Sequence, residues 1–112
     1  MPYIEAISGR VWEDETLWCA CAGEPVWYPI ADLNTKMKRF PDQTIEAQVM
    51  HYKRIKDADM SFPIILCNGV IVDGVHRVVK AMAEDISHIK AYILQKMPPA
   101  DRIEKGRWER VG

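Results

Sequence analysis

The dipeptide Asn68-Gly69 constrains this chain more than any other pair of residues. It separates two short apolar runs, Phe62-Pro63-Ile64-Ile65-Leu66-Cys67 and Val70-Ile71-Val72. A two-residue turn of the I′ type needs positive φ at both central positions, which Asn and Gly tolerate best. The pair therefore predicts a β-hairpin. Pro63 fits only near the start of the first strand, because proline donates nothing to a ladder. Asp73-Gly74 stops the return strand. Val75, Val78, Val79, Met82 and Ala83 then recur at helical spacing and predict a helix that ends near Glu84-Asp85. From Ile86 to Leu94 the pattern alternates, with Ile89, Ala91 and Ile93 on one face and Lys90, Tyr92 and Leu94 on the other. That alternation predicts a last strand.

Upstream, residues 9–22 place Val11, Trp12, Leu17, Trp18, Cys19 and Cys21 around the acidic triplet Glu13-Asp14-Glu15, which reads as a hairpin with a polar tip. Gly23-Glu24-Pro25 breaks the chain, and Val26-Trp27-Tyr28 forms a short strand. Residues 31–43 read as loop. Ile45, Val49, Tyr52 and Ile55 trace one face of a helix that runs to about Ala58, capped by Thr44 or Asp42. The element order is β-hairpin, β, α, β-turn-β, α, β. This is a mixed α+β domain with two main helices and an N-terminal hairpin. Residues 1–95 make one domain, and 96–112 form a polar extension or docking arm.

Composition excludes several classes. At 112 residues one core is expected. A hydrophobic content of 48% argues against wholesale disorder. No apolar run approaches the length of a membrane helix, and Met1-Pro2-Tyr3-Ile4-Glu5 lacks the basic start and apolar core of a leader, so a cytoplasmic protein is expected. A net charge of −1 argues against a chiefly electrostatic DNA binder. Charge is nevertheless uneven. Lys36, Lys38, Arg39, Lys53, Arg54 and Lys56 form a basic block, which reads either as a phosphate or nucleic-acid contact or as a solvated helix face. Three cysteines without a C-x-x-C pair fit a reducing compartment and do not predict a metal site. Cys19 and Cys21 would share a strand face as small apolar side chains. His51 and His88 have no partners at motif spacing and read as surface residues. Of the four tryptophans, Trp12, Trp18 and Trp27 read as building the core or a partner surface, with the core preferred.

Chemistry concentrates where the strand after the hairpin meets the following helix. The first amides of a helix lack intrahelical partners, and its dipole adds partial positive charge there. Gly74 lets a ligand approach the backbone, and His76 and Arg77 add cationic groups to the first turn. The pattern predicts an anion site over Gly74, Val75, His76 and Arg77. Asp73 is a candidate to hold a metal, orient His76 or accept a proton. The plainer alternatives are a capping Asp73, an Arg77 paired with Asp73 or Glu84, and a surface His76.

With these residues in view, 26–94 resemble the ParB/sulfiredoxin superfamily. The match runs from Val26…Tyr28-Pro29-Ile30…Asp32-Leu33 through a helix, Phe62-Pro63-Ile64-Ile65-Leu66, a two-residue turn, and Asp73-Gly74-Val75-His76-Arg77…Lys80-Ala81. The motif is most similar to the Asp-Gly-x-His-Arg of free-serine-kinase-like members. The resemblance implies a nucleotide-phosphate site at the motif helix, taking ATP, ADP or CTP with Mg²⁺. It also implies Asp73 and His76 as catalytic candidates. Glu46 is the nearest match to the acid that the kinase-like members carry at the start of the preceding helix. The same Glu46 also reads simply as an acid complementing a helix dipole. Val75 stands at the sulfiredoxin cysteine position, so sulfinic-acid reduction is not expected. Val78 stands at the second arginine position of ParB-type domains.

Two functional classes follow. The first is a nucleotide- or phosphate-binding domain, acting as a phosphotransferase or NTP hydrolase at Asp73–Arg77. The second is a non-catalytic DNA- or protein-binding adaptor of the same fold, with Lys53, Arg54 and Lys56 as nucleic-acid contacts. No carboxylate cluster suggests a nuclease. An apolar N-terminal hairpin edge would allow pairing into a homodimer.

Overall fold

Asn68 and Gly69 take φ values of 52° and 78°, so the predicted left-handed turn is present. The computed structural model describes residues 2–5, 7–35 and 44–104. In chain order these form β1 (Tyr3–Ile4), β2 (Arg10–Trp12), α1 (Asp14–Cys19), β3 (Val26–Pro29) and a 3-10 turn over Ile30–Asp32. There follow α2 (Ile45–Lys56), β4 (Ile64–Cys67), β5 (Val70–Asp73), α3 (Val75–Ala83), β6 (His88–Leu94) and β7 (Arg102–Ile103). The protein is mixed α+β. One sheet has the order β3-β6-β4-β5 and a smaller one the order β1-β2-β7. Among the described residues no helix is long and apolar enough to cross a membrane.

Within the larger sheet β4 and β6 are parallel, in register from Ile64↔Ala91 to Cys67↔Leu94. The other two pairings, β3 with β6 and β4 with β5, are antiparallel. Both faces are covered. Ile64, Leu66, Ile71, Ile89 and Ala91 join Ile30, Leu33 and the α3 residues Val78 and Ala81 in one core cluster. Ile65, Cys67, Val72 and Leu94 join Trp12 and Leu17 in a second. Alternate residues of β4 thus enter opposite cores, as a strand period of two requires.

Several expectations change. Residues 9–22 are not a hairpin. The acids Asp14 and Glu15 occupy the first turn of α1, where they complement the helix dipole. The N-terminal hairpin instead joins β1 to β2, with Tyr3 opposite Trp12. Both sides of β2 are paired, one with β1 and one with β7. Cys19 is therefore exposed on a helix, while Cys21 donates its Sγ–H to the Leu17 carbonyl at 3.4 Å. Trp12 is buried, and Trp18 packs edge-on against Tyr92 at 6.0 Å. Trp27 is 65% exposed, with the Lys90 ammonium over its ring.

Helix α2 begins at the expected cap, with the Thr44 hydroxyl accepting from the Ala47 amide at 3.1 Å. Three of the four stripe residues, however, face outward: Ile45 is 80%, Val49 45% and Tyr52 66% exposed, while Ile55 is half-buried. The half-buried positions are Ala47, His51 and Ile55. In α3 the inner face is Val75, Val78 and Ala81, and Met82 is exposed. Residues 36–43, with Lys36, Lys38, Arg39 and Asp42, lie outside the described residues, as does Trp108.

The segment after Leu94 is part of this architecture as far as Glu104. Trp12 donates its indole N–H to the Pro98 carbonyl at 2.7 Å, and Met97 and Ala100 pack against the second core. Asp101 caps α1 from a distance. Its carboxylate accepts from the Glu13 amide and from the Thr16 hydroxyl, both at 2.8 Å. Those two bonds hold the Asp101 carboxyl below its usual pKa. A carboxylate whose pKa is lowered by folding stabilises above its ordinary value and loses that contribution as pH falls through the lowered one. Asp101→Ala is therefore expected to lower the urea midpoint near neutrality. The gap to wild type closes as pH falls from about 4 downward, which paired denaturation curves across that range test.

Candidate functional site at the start of α3

The turn into α3 is built by two backbone irregularities. In β5 the register slips, so that Leu66 faces Ile71 while Ile65 faces Asp73. Val72 is the extra residue of this bulge, a device that re-aims the side chains beside it. Gly74 then takes φ 101°, in the left-handed region, as the N-cap of α3. A Cβ at Gly74 would lie 2.6 Å from Ile64 Cγ2 and 2.9 Å from an Arg77 nitrogen. Only glycine fits here, for φ and for space alike.

Gly74 offers no side chain to the helix start, and the first turn of α3 contains no acid. The first amides of a helix have no intrahelical acceptors. Val75 packs its side chain on the first core, so any contact it makes with a ligand comes from its amide. Arg77 turns back over the bulge. It donates to Asp73 Oδ2 at 2.8 Å and to the Pro63 carbonyl at 3.2 Å, while its Nε is buried without a partner. The pairing of Arg77 with Asp73, one of the alternatives raised by the sequence, is the arrangement present. It makes Arg77 a brace between β4, β5 and α3.

His76 lies on the other side of the turn, against α2. Its Nε2 is 3.1 Å from His51 Nδ1, and the two ring planes are tilted by 28° with centroids 5.4 Å apart, so the nitrogens meet end to end. Burial, then the neighbouring His51, then Arg54 push the His76 pKa below that of an ordinary imidazole. Lys80 donates to the carbonyls of Lys56 and Ala58, at 2.9 and 3.1 Å, and so caps the end of α2. The contacts advance in step, His51 with His76 and then Lys56 with Lys80, so the two helices run in the same sense. The first turn of α2 therefore extends past the start of α3.

The structure thus joins Asp73 to Arg77 and His76 to His51, with Arg54 close enough to act on His76 electrostatically. It does not join Glu46 to this group. Glu46 is exposed in the first turn of α2, and no described hydrogen bond or ion pair links it to Asp73, His76 or Arg77. Lys53, Arg54 and Lys56 are exposed on the last turns of α2. No group of three or more His, Cys, Asp or Glu placed to hold a metal ion occurs among the described residues. The residue that sequence reasoning missed is His51. Its only signal was its place among the half-buried positions of α2, which becomes visible once α3 is in place. Comparison with models of protein families, with curated proteins and with solved structures finds no match to this chain.

Two outcomes follow. Gly74→Ala is expected to destabilise the protein by about 2–3 kcal/mol in chemical denaturation, through both strain at positive φ and overpacking on Ile64. The His76 ring, followed by ¹H–¹³C NMR, is expected to titrate below about 6.5, the ordinary histidine value, and Arg54→Gln to move its midpoint upward. Because the unfolded chain takes up this proton at higher pH than the folded one, stability falls as pH drops below that ordinary value.

Proposed function

We propose that this chain is a ParB/sulfiredoxin-like domain that binds a phosphate-bearing ligand, a nucleotide in particular, at the start of α3. The observation that carries the reading is the combination at Gly74–His76. An uncapped helix N-terminus, free of acids, is opened by a glycine that lets a ligand reach the backbone. Such a terminus favours an anion through its free amides and its dipole. On the α2 side the positive charge of Arg54 acts at His76. The order β4, two-residue turn, β5, Gly74, α3, β6 also agrees with what the resemblance implies.

Binding is favoured over catalysis. The Asp73 carboxylate is engaged by Arg77, which suits a structural brace better than a proton acceptor. Glu46 stands apart from the group, so the acid expected of a phosphotransferase is not assembled. In this reading Arg77 fixes the turn and leaves contact with the ligand to the amides and His76.

The test is an amide-resolved NMR titration with ATP, ADP, CTP and inorganic phosphate, each with and without Mg²⁺. Saturable shifts centred on Gly74, Val75 and His76, weakened in His76→Ala, are expected. Arg77→Ala is a poor probe because it removes the brace. Silence at millimolar ligand would overturn the reading. Shifts confined to Lys53, Arg54 and Lys56 on adding duplex DNA would favour the adaptor class instead.

A further inference from the structure

We propose that the cleft beside the C-terminal segment binds a small aromatic carboxylate, a planar apolar body that carries one anionic head. The inference stands apart from the phosphate reading, because among the described residues none of α2 or α3 lines this cleft. After β6 the chain passes the end of α1 and the side of β2, and an open cleft of about 580 Å³ lies between them. Pockets that hold small organic ligands run from roughly 300 to 1,000 Å³. The floor is apolar, with Trp12 from β2, Ala20 after α1, and Met97 and Pro98 from the C-terminal segment. It also offers few polar handles. Trp12 gives its one donor, the indole N–H, to the Pro98 carbonyl. Pro98 and Pro99 have no amide hydrogen. The Met97 thioether is polarizable and adaptable, and such a group packs well against an aromatic ring.

The charges that line the cleft are of one sign. Arg10 shares a face of β2 with Trp12, two residues on, and Lys96 follows the end of β6. Both line the cleft, and no acid does among the described residues. The arginines that form ion pairs among the described residues are Arg77 and Arg102. Among those residues neither the Arg10 guanidinium nor the Lys96 ammonium has an acceptor. Arg10 thus brings a fork that matches a carboxylate, and Lys96 brings a point charge. The charge pattern selects an anionic head, and the floor selects the body behind it. An inorganic anion would leave the floor in water. An uncharged hydrocarbon would leave both cations without a counterion. A ring seated on Met97 and Pro98, with its carboxylate at Arg10 and Lys96, satisfies both.

The experiment is a titration of the whole chain with 2-naphthoate, followed by the Trp12 indole N–H and the Met97 methyl in ¹H–¹⁵N and ¹H–¹³C spectra. 2-Naphthylmethanol carries the body without the charge, and acetate the charge without the body. Saturable movement of both signals at millimolar 2-naphthoate is expected, with weaker binding of either control. Arg10→Gln and Lys96→Gln change exposed side chains and leave the fold intact. Each is expected to weaken 2-naphthoate binding about threefold and the double variant about tenfold, in keeping with ion pairs at an exposed rim. Added salt weakens binding in the same direction. Movement of neither signal, equal affinity for 2-naphthylmethanol, or undiminished binding by the double variant would overturn the proposal. Shifts centred on Gly74, Val75 and His76 would overturn it as well, by placing the acid at the start of α3.

Discussion

The parallel pairing of β4 with β6 is the constraint on which the rest of the structure depends. Parallel neighbours cannot be joined by a tight hairpin, so the chain between them must leave the sheet and return. It does so by adding β5 at the sheet edge and then α3 across one face. The price is an abrupt junction between β5 and α3, built from a bulge at Val72 and a left-handed Gly74. Arg77 closes that junction by bonding Asp73 at the end of β5 and the Pro63 carbonyl just before β4. The uncapped start of α3 is thus a direct consequence of strand order. The sheet needs a crossover there, and Ile64 packs so near Gly74 that only glycine is accommodated.

A pair of strands buried on both faces also needs a second cover. The first face takes α3, and the second takes α1 with Trp12. Neither α1 nor β2 is long enough to hold this layer alone, and the C-terminal segment completes it. Pro98 accepts from Trp12, Asp101 caps α1, and β7 pairs with β2. Residues from both ends of the described chain therefore share one core. Contacts of this long sequence separation form against a large loop-closure entropy.

The central elements were legible in the sequence because each carried a local signal. Asn68-Gly69 needed no partner to specify its turn, and Thr44 capped α2 through its own hydroxyl. Val75 and Val78 marked part of the buried face of α3. What failed was inference that needed a neighbour. The stripe of Ile45, Val49, Tyr52 and Ile55 identified a helix correctly but its inward face only in part, because the half-buried positions of α2 are Ala47, His51 and Ile55. The acids at 13–15 looked like a hairpin tip because the residue that caps them, Asp101, is remote in sequence. At the candidate site the motif residues Asp73–Arg77 were readable as a group, yet their partners were not. That Arg77 braces while His76 faces α2 is a property of packing.

The manner in which α2 is held bears on the chemistry. No residue of α2 is fully buried, and among the described residues its hydrogen bonds with α3 are the His51–His76 contact and the bond from Lys80 to the Lys56 carbonyl. A helix docked this way gains less from apolar burial than α3 does, so its opening free energy lies toward the low end of the range within a protein. Yet α2 supplies His51 and Arg54, half of the polar groups gathered around the start of α3. Any ligand that bonds both helices binds the docked state better than the open one and stabilises the seam by mass action. Order in α2 and occupancy of the site are then two expressions of one equilibrium. That coupling follows from the polar contacts that join the two helices.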